Sequence, residues 1–305
     1  MKRTIIALNF ILFLLSTSKS SAKPINFTTS DGVQLYVNVV GSGPPCVFVH
    51  GGPGSNSYYL EGIKSASLLE QKNKMIYYDQ RGCGRSKSPA NGDYSLARME
   101  KDLEEIRIFL GFKKWNVMGH SFGGIISTQY ANDYPNSISS LLLIHCTLNI
   151  NQSLMSHIEF GIKELKLKDT LAYYNAATPT IERLGMIHKQ LGDKKVMYKL
   201  MFRNQYEKDL NDTIDNPIGK KNRDFANSVW EIQEYFKDYN KVTKNIKCPV
   251  LIMTGDNDFA IGPNHYKQFE FPNKTIIHYN GGHAPFQEEP QWFSEKITLF
   301  LETKK

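Results

Sequence analysis

The chain has 305 residues, of which 41% are hydrophobic and 22% are charged, and its formal net charge at pH 7 is +7. This composition is typical of an ordinary globular protein and leaves room for one large α/β domain with an insertion. No internal repeat or low-complexity tract is present, and charges of both signs are mixed without a long basic block, which argues against nucleic-acid binding.

The first 22 residues are typical of a signal peptide. Lys2 and Arg3 form a basic start, residues 5–15 are apolar except for Asn9, and residues 20–22 are small, as a signal peptidase requires. The apolar run is shorter than the roughly 20 residues of a membrane-spanning helix, which favours cleavage after Ala22 over an uncleaved anchor. We therefore predict a secreted or periplasmic protein with no stable membrane insertion after cleavage.

Short apolar runs alternate with helical patterns along the rest of the chain. Residues 33–40 alternate in polarity and predict an edge-side strand, after which glycine and proline break the chain at 41–45. Strands buried on both faces are predicted at 46–49, 75–78, 115–118, 141–144, 250–253 and 275–278, and helices at 96–110, 125–132 and 290–301. This alternation predicts a mostly parallel sheet with flanking helices.

The alternation stops within residues 148–242, which are helix-like, rich in Lys, Tyr and Asn, and contain no buried-strand pattern. Two strands and a helix return after this segment, which favours an insertion over a separate C-terminal domain. We predict a core of residues 23–147 and 243–305 with a helical cap of residues 148–242.

The four cysteines are predicted to be mostly small buried side chains. Cys46 and Cys248 each open a predicted strand, Cys146 closes one, and Cys83 lies in a loop. Export makes disulfides possible, but a core of this size does not need them. No metal-ligand spacing such as C-x-x-C or H-E-x-x-H occurs, and we predict neither a metal nor a cofactor.

The candidate nucleophile is Ser121, in the G-x-S-x-G motif of residues 119–123. The motif directly follows one predicted strand and precedes a helical pattern, which is the context of a nucleophile elbow. There the serine occupies a strained turn, the flanking glycines avoid collisions, and the helix N-terminus favours developing negative charge. An incidental serine in a glycine-rich loop is the alternative.

A serine hydroxyl needs a base to become a nucleophile. In elbow enzymes the partners follow in the order serine, acid, histidine. His283 lies in a glycine-containing loop between the last predicted strand and the last predicted helix, and we predict that it is the base. The loop after residues 250–253 offers two carboxylates, Asp256 and Asp258, one of which should orient the histidine.

Backbone donors for an oxyanion are predicted from residues 50–54, His-Gly-Gly-Pro-Gly, which directly follow a predicted strand. Glycines there leave N–H groups uncovered. The expected donors are Gly52 and the residue after the nucleophile, Phe122. A plain Gly/Pro turn is the alternative.

Together with residues 79–86, Asp-Gln-Arg-Gly-Cys-Gly-Arg-Ser, these motifs resemble the proline iminopeptidase (prolyl aminopeptidase) family of α/β-hydrolases, over about 45–147 and 248–290. The resemblance implies a mostly parallel eight-stranded sheet with an inserted helical cap. It favours Asp258 as the acid, three residues after the loop glycine, with Asp256 in a turn. It places residues 79–86 beside the site, where we interpret Asp79 and Arg81 as a structural ion pair.

The sequence departs from the family at the elbow. Many members carry G-G-S-W-G-G, whereas His120 and Phe122 occur here, as in esterase-like relatives. Family aminopeptidases hold the substrate's free amino group with acidic cap residues, and the local match is Glu231 and Glu234. A solvated helix face is an equally good interpretation of these two glutamates.

The predicted activity is therefore that of a serine hydrolase acting through an acyl-enzyme. The first hypothesis is an aminopeptidase that releases N-terminal proline or another residue from short peptides. The second is a carboxylesterase or lipase acting on small acyl esters, and the third is a non-catalytic ligand-binding protein of the same fold. The expected partner is a small peptide or ester, and the oligomeric state stays open.

Overall fold

The computed structural model describes residues 24–303, so the predicted signal peptide lies outside the described residues. The strands are β1 (Ile25–Thr28), β2 (Gln34–Val40), β3 (Pro45–Val49), β4 (Lys74–Tyr78), β5 (Trp115–His120), β6 (Ile138–Ile144), β7 (Val250–Gly255) and β8 (Lys274–Tyr279). They form one sheet in the order β1-β2-β4-β3-β5-β6-β7-β8. The β1–β2 and β2–β4 pairs are antiparallel and the others are parallel, which confirms the predicted mostly parallel eight-stranded sheet.

The two ends of the sheet differ from the sequence-based prediction. Strand β1 was not predicted, and it places β2 second from the edge. Strand β8 was predicted to be buried on both faces, but it forms the opposite edge and most of its residues are exposed, including Ile276 at 38%. An edge strand has a neighbour on one side only, so its apolar residues are less covered.

The α-helices are α1 (Tyr58–Glu61), α2 (Lys64–Leu69), α3 (Leu96–Phe109), α4 (Gly123–Asp133), α5 (Ile150–Glu164), α6 (Leu171–Tyr174), α7 (Thr180–Asp193), α8 (Gln205–Thr213), α9 (Asp224–Ser228), α10 (Pro285–Glu288) and α11 (Pro290–Thr303). Short 3-10 helices span Met197–Leu200, Asn216–Ile218, Val229–Glu231, Gln233–Phe236, Tyr239–Asn245 and His265–Gln268. Among residues 24–303, no helix combines the length and apolarity needed to cross a membrane.

The core lies on both faces of the sheet. Alternate residues of each central strand point to opposite faces, so Val47 packs into one cluster and Phe48 into the other. The second cluster is closed by α11 through Phe293 and Ile297. Every residue of β5 is buried, as expected of a central parallel strand covered by helices on both faces.

Between β6 and β7 the chain is helical throughout its regular elements, from α5 to the 3-10 helix Tyr239–Asn245. The two ends of this insertion meet where the Tyr239 N–H donates to the Leu148 carbonyl at 2.9 Å. Its apolar residues Ile158, Ile187 and Phe225 belong to the same cluster as the sheet. The insertion therefore packs directly on the core, and the predicted boundary at 242 falls inside its last 3-10 helix.

All four cysteines are free thiols. Cys46, Cys83 and Cys146 are buried and Cys248 is half-buried, which agrees with their interpretation as small side chains of the interior.

Glu100 on α3 is a buried acid, only 3% exposed. Burial, reinforced by the charge and hydrogen bond of Asp133, raises its pKa to about 9. Because an unfolded glutamate ionises near pH 4.5, the folded protein binds one more proton between these two values. The contribution of Glu100 to stability therefore falls as the pH rises from about 4.5 to about 9.

Glu100→Gln is expected to remove this pH dependence, because the neutral amide needs no proton. The variant should exceed the wild type in unfolding free energy by about 1–3 kcal/mol at pH 8 and match it near pH 4.5. Urea denaturation at the two pH values measures the difference. Glu159→Gln, on the exposed face of α5, is the control, and a gain that is equal at both pH values would contradict the assignment.

Candidate active site

The carboxyl ends of four neighbouring strands meet at one edge of the sheet. In the parallel register Val49 of β3 lies opposite Gly119 of β5, and Ile144 of β6 lies opposite both His120 and Met253 of β7. The loops that follow these strands are therefore adjacent, and they contain the motifs identified in the sequence.

Ser121 occupies a sharp turn between β5 and α4, with φ at 55°. Its N–H donates to the Ile144 carbonyl at 3.2 Å, and its own carbonyl accepts from Thr147 at 3.2 Å. A Cβ at Gly119 would lie 2.6 Å from Ser127 Oγ, and one at Gly123 would collide with the backbone of β3. The predicted strand–turn–helix context of the motif is confirmed, and it explains why glycine flanks the serine.

His283 and Asp258 are brought together 25 residues apart in the sequence. His283 Nδ1 lies 2.9 Å from Asp258 Oδ2, and both side chains are buried. Burial opposes ionisation of Asp258, but the charge of His283 and the hydrogen bonds from His145 and His283 outweigh it. They hold the pKa of Asp258 well below its usual range, so this carboxyl is an anion at neutral pH.

Asp256, the other candidate acid, lies elsewhere. Its side chain is 54% exposed, and its Oδ1 is 3.4 Å from Nδ1 of His278 on the edge strand β8. The structure thus brings Asp258, and not Asp256, to His283.

His145 is a third group that sequence reasoning missed. It directly follows β6, and its Nδ1 lies 3.0 Å from Asp258 Oδ2. One ligand atom from each of His145, Asp258 and His283 falls within 4.8 Å of the others, which is a spacing that a metal ion also uses. We assign these contacts as hydrogen bonds, because both Nδ1 atoms lie within 3.0 Å of Asp258 Oδ2, the ordinary distance of an N–H···O bond. Its position after the strand beside the nucleophile's strand was the available signal.

The glycine-rich loop 50–54 packs against the elbow. A Cβ at Gly51 would lie 2.6 Å from Ser121 Cβ. The Gly51 N–H donates to the Tyr59 hydroxyl at 2.8 Å, so it is already used. The predicted oxyanion donors are Gly52, the next residue with φ at 124°, and Phe122, which directly precedes α4. Gly52–Pro53 is a cis peptide bond.

His120 connects this loop to the loop of His283. The Tyr59 hydroxyl lies 2.8 Å from His120 Nδ1, and His120 Nε2 lies 3.0 Å from the His283 carbonyl. Burial lowers the pKa of His120 well below its usual value, so the ring is neutral. We therefore assign the proton to Nε2, which donates to His283, while Nδ1 accepts from Tyr59.

The expected ion pair between Asp79 and Arg81 is wrong, because each side chain pairs elsewhere. Asp79 binds Arg85 at 2.7 Å and accepts the N–H and hydroxyl of Ser57 at 2.8 Å. Arg81 binds Asp102 at 2.6 Å and Asp31 at 2.9 Å. Asp79 thus connects residues 79–86 to Ser57, and Arg81 connects them to Asp102 and Asp31.

Within residues 24–303, neither predicted cap glutamate contacts Ser121, Asp258 or His283. Glu231 is exposed. Glu234 Oε1 accepts the N–H of Leu96 at 2.7 Å, at the start of α3. The insertion between β6 and β7 instead places two aromatic rings against Phe122, Tyr235 at 5.2 Å and Phe225 at 5.9 Å between centroids.

The sequence profile described as the alpha/beta hydrolase fold matches residues 44–290, and the chain belongs to this family. A proline iminopeptidase of Lactobacillus helveticus is 31% identical over 245 residues, 75% of this chain and 80% of the relative. The expected resemblance to proline iminopeptidases is therefore confirmed.

Two solved structures share the fold. A proline iminopeptidase-related protein from Thermus thermophilus has a TM-score of 0.74 at 19% identity, covering 92% of this chain and 97% of that one. An esterase from Exiguobacterium antarcticum has a TM-score of 0.67 at 21% identity, covering 92% and 98%. The comparisons support a hydrolase of the α/β fold.

Proposed function

We propose that this protein is a serine hydrolase that acts through an acyl-enzyme. The observation that carries the proposal is the hydrogen bond from His283 Nδ1 to the buried Asp258 carboxylate. The ring of His283 lies 4.7 Å from that of His120, the residue before Ser121. That bond leaves Nε2 of His283 free to take the serine proton. A base held in this tautomer is what a serine hydroxyl requires.

The reaction proceeds in two steps. Ser121 Oγ attacks the substrate carbonyl while His283 removes its proton, and the N–H groups of Gly52 and Phe122 stabilise the oxyanion. His283 then protonates the leaving amine or alcohol, and water releases the acyl group by the same route. Asp258 orients His283 and stabilises its charged form.

The substrate proposed first is a short peptide with a free N-terminus, from which the enzyme releases proline or another residue. Proline iminopeptidases among the relatives support this choice, as does the covered site, since Ser121 is only 8% exposed beneath the cap. Glu207 on α8 reaches α10, the short helix that follows His283, where its Oε2 accepts from Gln287 at 2.7 Å. It joins Glu231 and Glu234 as a candidate partner for the substrate ammonium.

A small acyl ester is the second candidate. The aromatic rings of Phe225 and Tyr235 over Phe122 favour it, because an apolar lining suits an acyl chain better than an ammonium. Glu234 Oε1 already accepts the Leu96 N–H, which also favours the ester over a substrate with an ammonium group.

Hydrolysis of proline 4-nitroanilide, its N-acetyl derivative and 4-nitrophenyl acetate separates the two candidates. An aminopeptidase should cleave the free amine at least about tenfold faster than the acetylated anilide, because a lost charge-assisted hydrogen bond costs that much or more. Glu207→Gln, Glu231→Gln and Glu234→Gln then identify the carboxylate that binds the ammonium. Cleavage of the ester alone would reject the peptidase and retain the hydrolase.

A further inference from the structure

Two imidazoles share one oxygen of Asp258. His145 Nδ1 lies 3.0 Å and His283 Nδ1 lies 2.9 Å from Oδ2, while Oδ1 faces the N–H of Ile261 at 3.3 Å. A carboxylate oxygen offers about two lone-pair sites, so Oδ2 has no capacity for a third donor. The two bonds draw on the charge of the same oxygen, so the bond from His145 bears on the strength of the bond to His283.

The fold keeps His145 in place against two opposing effects. Its φ is 48°, in the left-handed region that non-glycine residues disfavour. Its Nε2 is buried and has no hydrogen-bond partner. Both features oppose folding, and such features persist where the surroundings hold a residue for another purpose. The other non-glycine residue in this conformation at the site is Ser121 itself.

The surroundings of His145 determine its protonation. Burial lowers its pKa, so the ring is neutral and carries one proton. The groups that act on it are Asp258, His283 at 6.2 Å and Tyr279 at 6.0 Å between ring centroids, and the more distant charge of Glu288. The one proton belongs on Nδ1, because an unprotonated Nδ1 would set its lone pair against an anion.

We propose that His145 is a positioning residue of the active site, whose Nδ1–H holds the Asp258 carboxylate in the rotamer that presents Oδ2 to His283. By donating to the same oxygen, His145 also draws charge from the carboxylate. The attraction between Asp258 and protonated His283 is then weaker. His283 then returns its proton to the leaving group more readily. This inference rests on the proposed function, because it assigns a role within the same catalytic group.

Two variants separate the effect of the hydrogen bond donated by residue 145 from the effect of its side-chain volume. His145→Asn tolerates the left-handed backbone and keeps an N–H donor near Nδ1, whereas His145→Gly tolerates the backbone and has no donor. We expect His145→Gly to lower kcat about tenfold or more with little change in KM, and to move the acidic limb of the kcat/KM profile to higher pH. His145→Asn should stay within about threefold of the wild type and keep its profile.

Equal kcat values and equal pH profiles in the two variants would overturn the proposal. The proposal would also be overturned if the activity of both variants fell only in proportion to their thermal stability, because His145 would then be a packing residue.

The downfield proton resonance of His283 Nδ1–H supplies a readout that needs no turnover and can be recorded on 15N-histidine-labelled protein. In the wild type a second downfield proton, bonded to His145 Nδ1, is expected beside it, and the His283 resonance should move in His145→Gly but not in His145→Asn. If the wild type hydrolyses no substrate, the proposed function fails while this measurement still decides the role of His145. If the glycine variant does not fold, a wild type without the second proton rejects the proposal.

Discussion

Replacement of Ser121 by alanine is expected to lower kcat by roughly four to six orders of magnitude. Ser121 lies in a turn with φ at 55°, the backbone conformation of a nucleophile elbow, and in the proposed mechanism its hydroxyl attacks the carbonyl. Alanine at this position has no hydroxyl. Cys146, which packs against α4 nearby, cannot replace it. Burial raises the pKa of that thiol well above its usual value, and Sγ lies 3.2 Å from the Gly119 carbonyl.

Steady-state hydrolysis of the best substrate measures this loss, and labelling by an active-site phosphonate with mass spectrometry locates the nucleophile. Ser127→Ala is the matched control. Ser127 lies on α4, buried close to Gly119, and its Oγ has no hydrogen-bond partner, so its removal should change neither activity nor stability appreciably. Retention of activity within tenfold in Ser121→Ala would reject the serine mechanism.

Replacement of Asp258 by asparagine is expected to lower kcat by about 10⁴, the loss known for the corresponding change in the Ser-His-Asp triad. The carboxylate now accepts the Nδ1 protons of both His283 and His145. An amide offers a donor there as well, which favours the tautomer of His283 that cannot accept the serine proton. KM should change little, because Asp258 acts through His283.

Asp256→Asn is the matched control for this prediction. Asp256 belongs to the same loop, but its side chain is exposed and lies beside His278 at 3.4 Å. We expect its kcat within about twofold of the wild type, as for most surface substitutions. The reverse ranking of the two variants in a kcat and KM comparison would assign the acid to Asp256.

The local pattern of the chain predicted the central elements well. The runs at 46–49, 75–78 and 250–253 lie inside β3, β4 and β7, because a strand buried on both faces requires an uninterrupted apolar run. Helix α3 begins at the predicted residue, where the Ser95 side chain accepts the Arg98 N–H. These signals are local, and a single sequence contains them in full.

Less regular segments were missed. Strand β1 has four residues of which one is buried, and its pairing with β2 gives it its structure. The first residues of β6, Ile-Ser-Ser, lack an apolar run and are held by their register with β5. The edge position of β8 likewise depends on the order of strands in the sheet, which no short pattern contains.

The sequence by itself determined the fold family, the motifs at the strand ends and the candidates Ser121, His283 and Asp258, because strand, turn and helix signals and chain order are local properties. Only the tertiary structure decided the partners of the side chains. It paired Arg81 with Asp102 instead of Asp79. It also brought His145 into hydrogen-bond distance of Asp258, which lies 113 residues further along the chain. A side chain's partner depends on which strand lies next to its own, and that neighbour exists only once the sheet has formed.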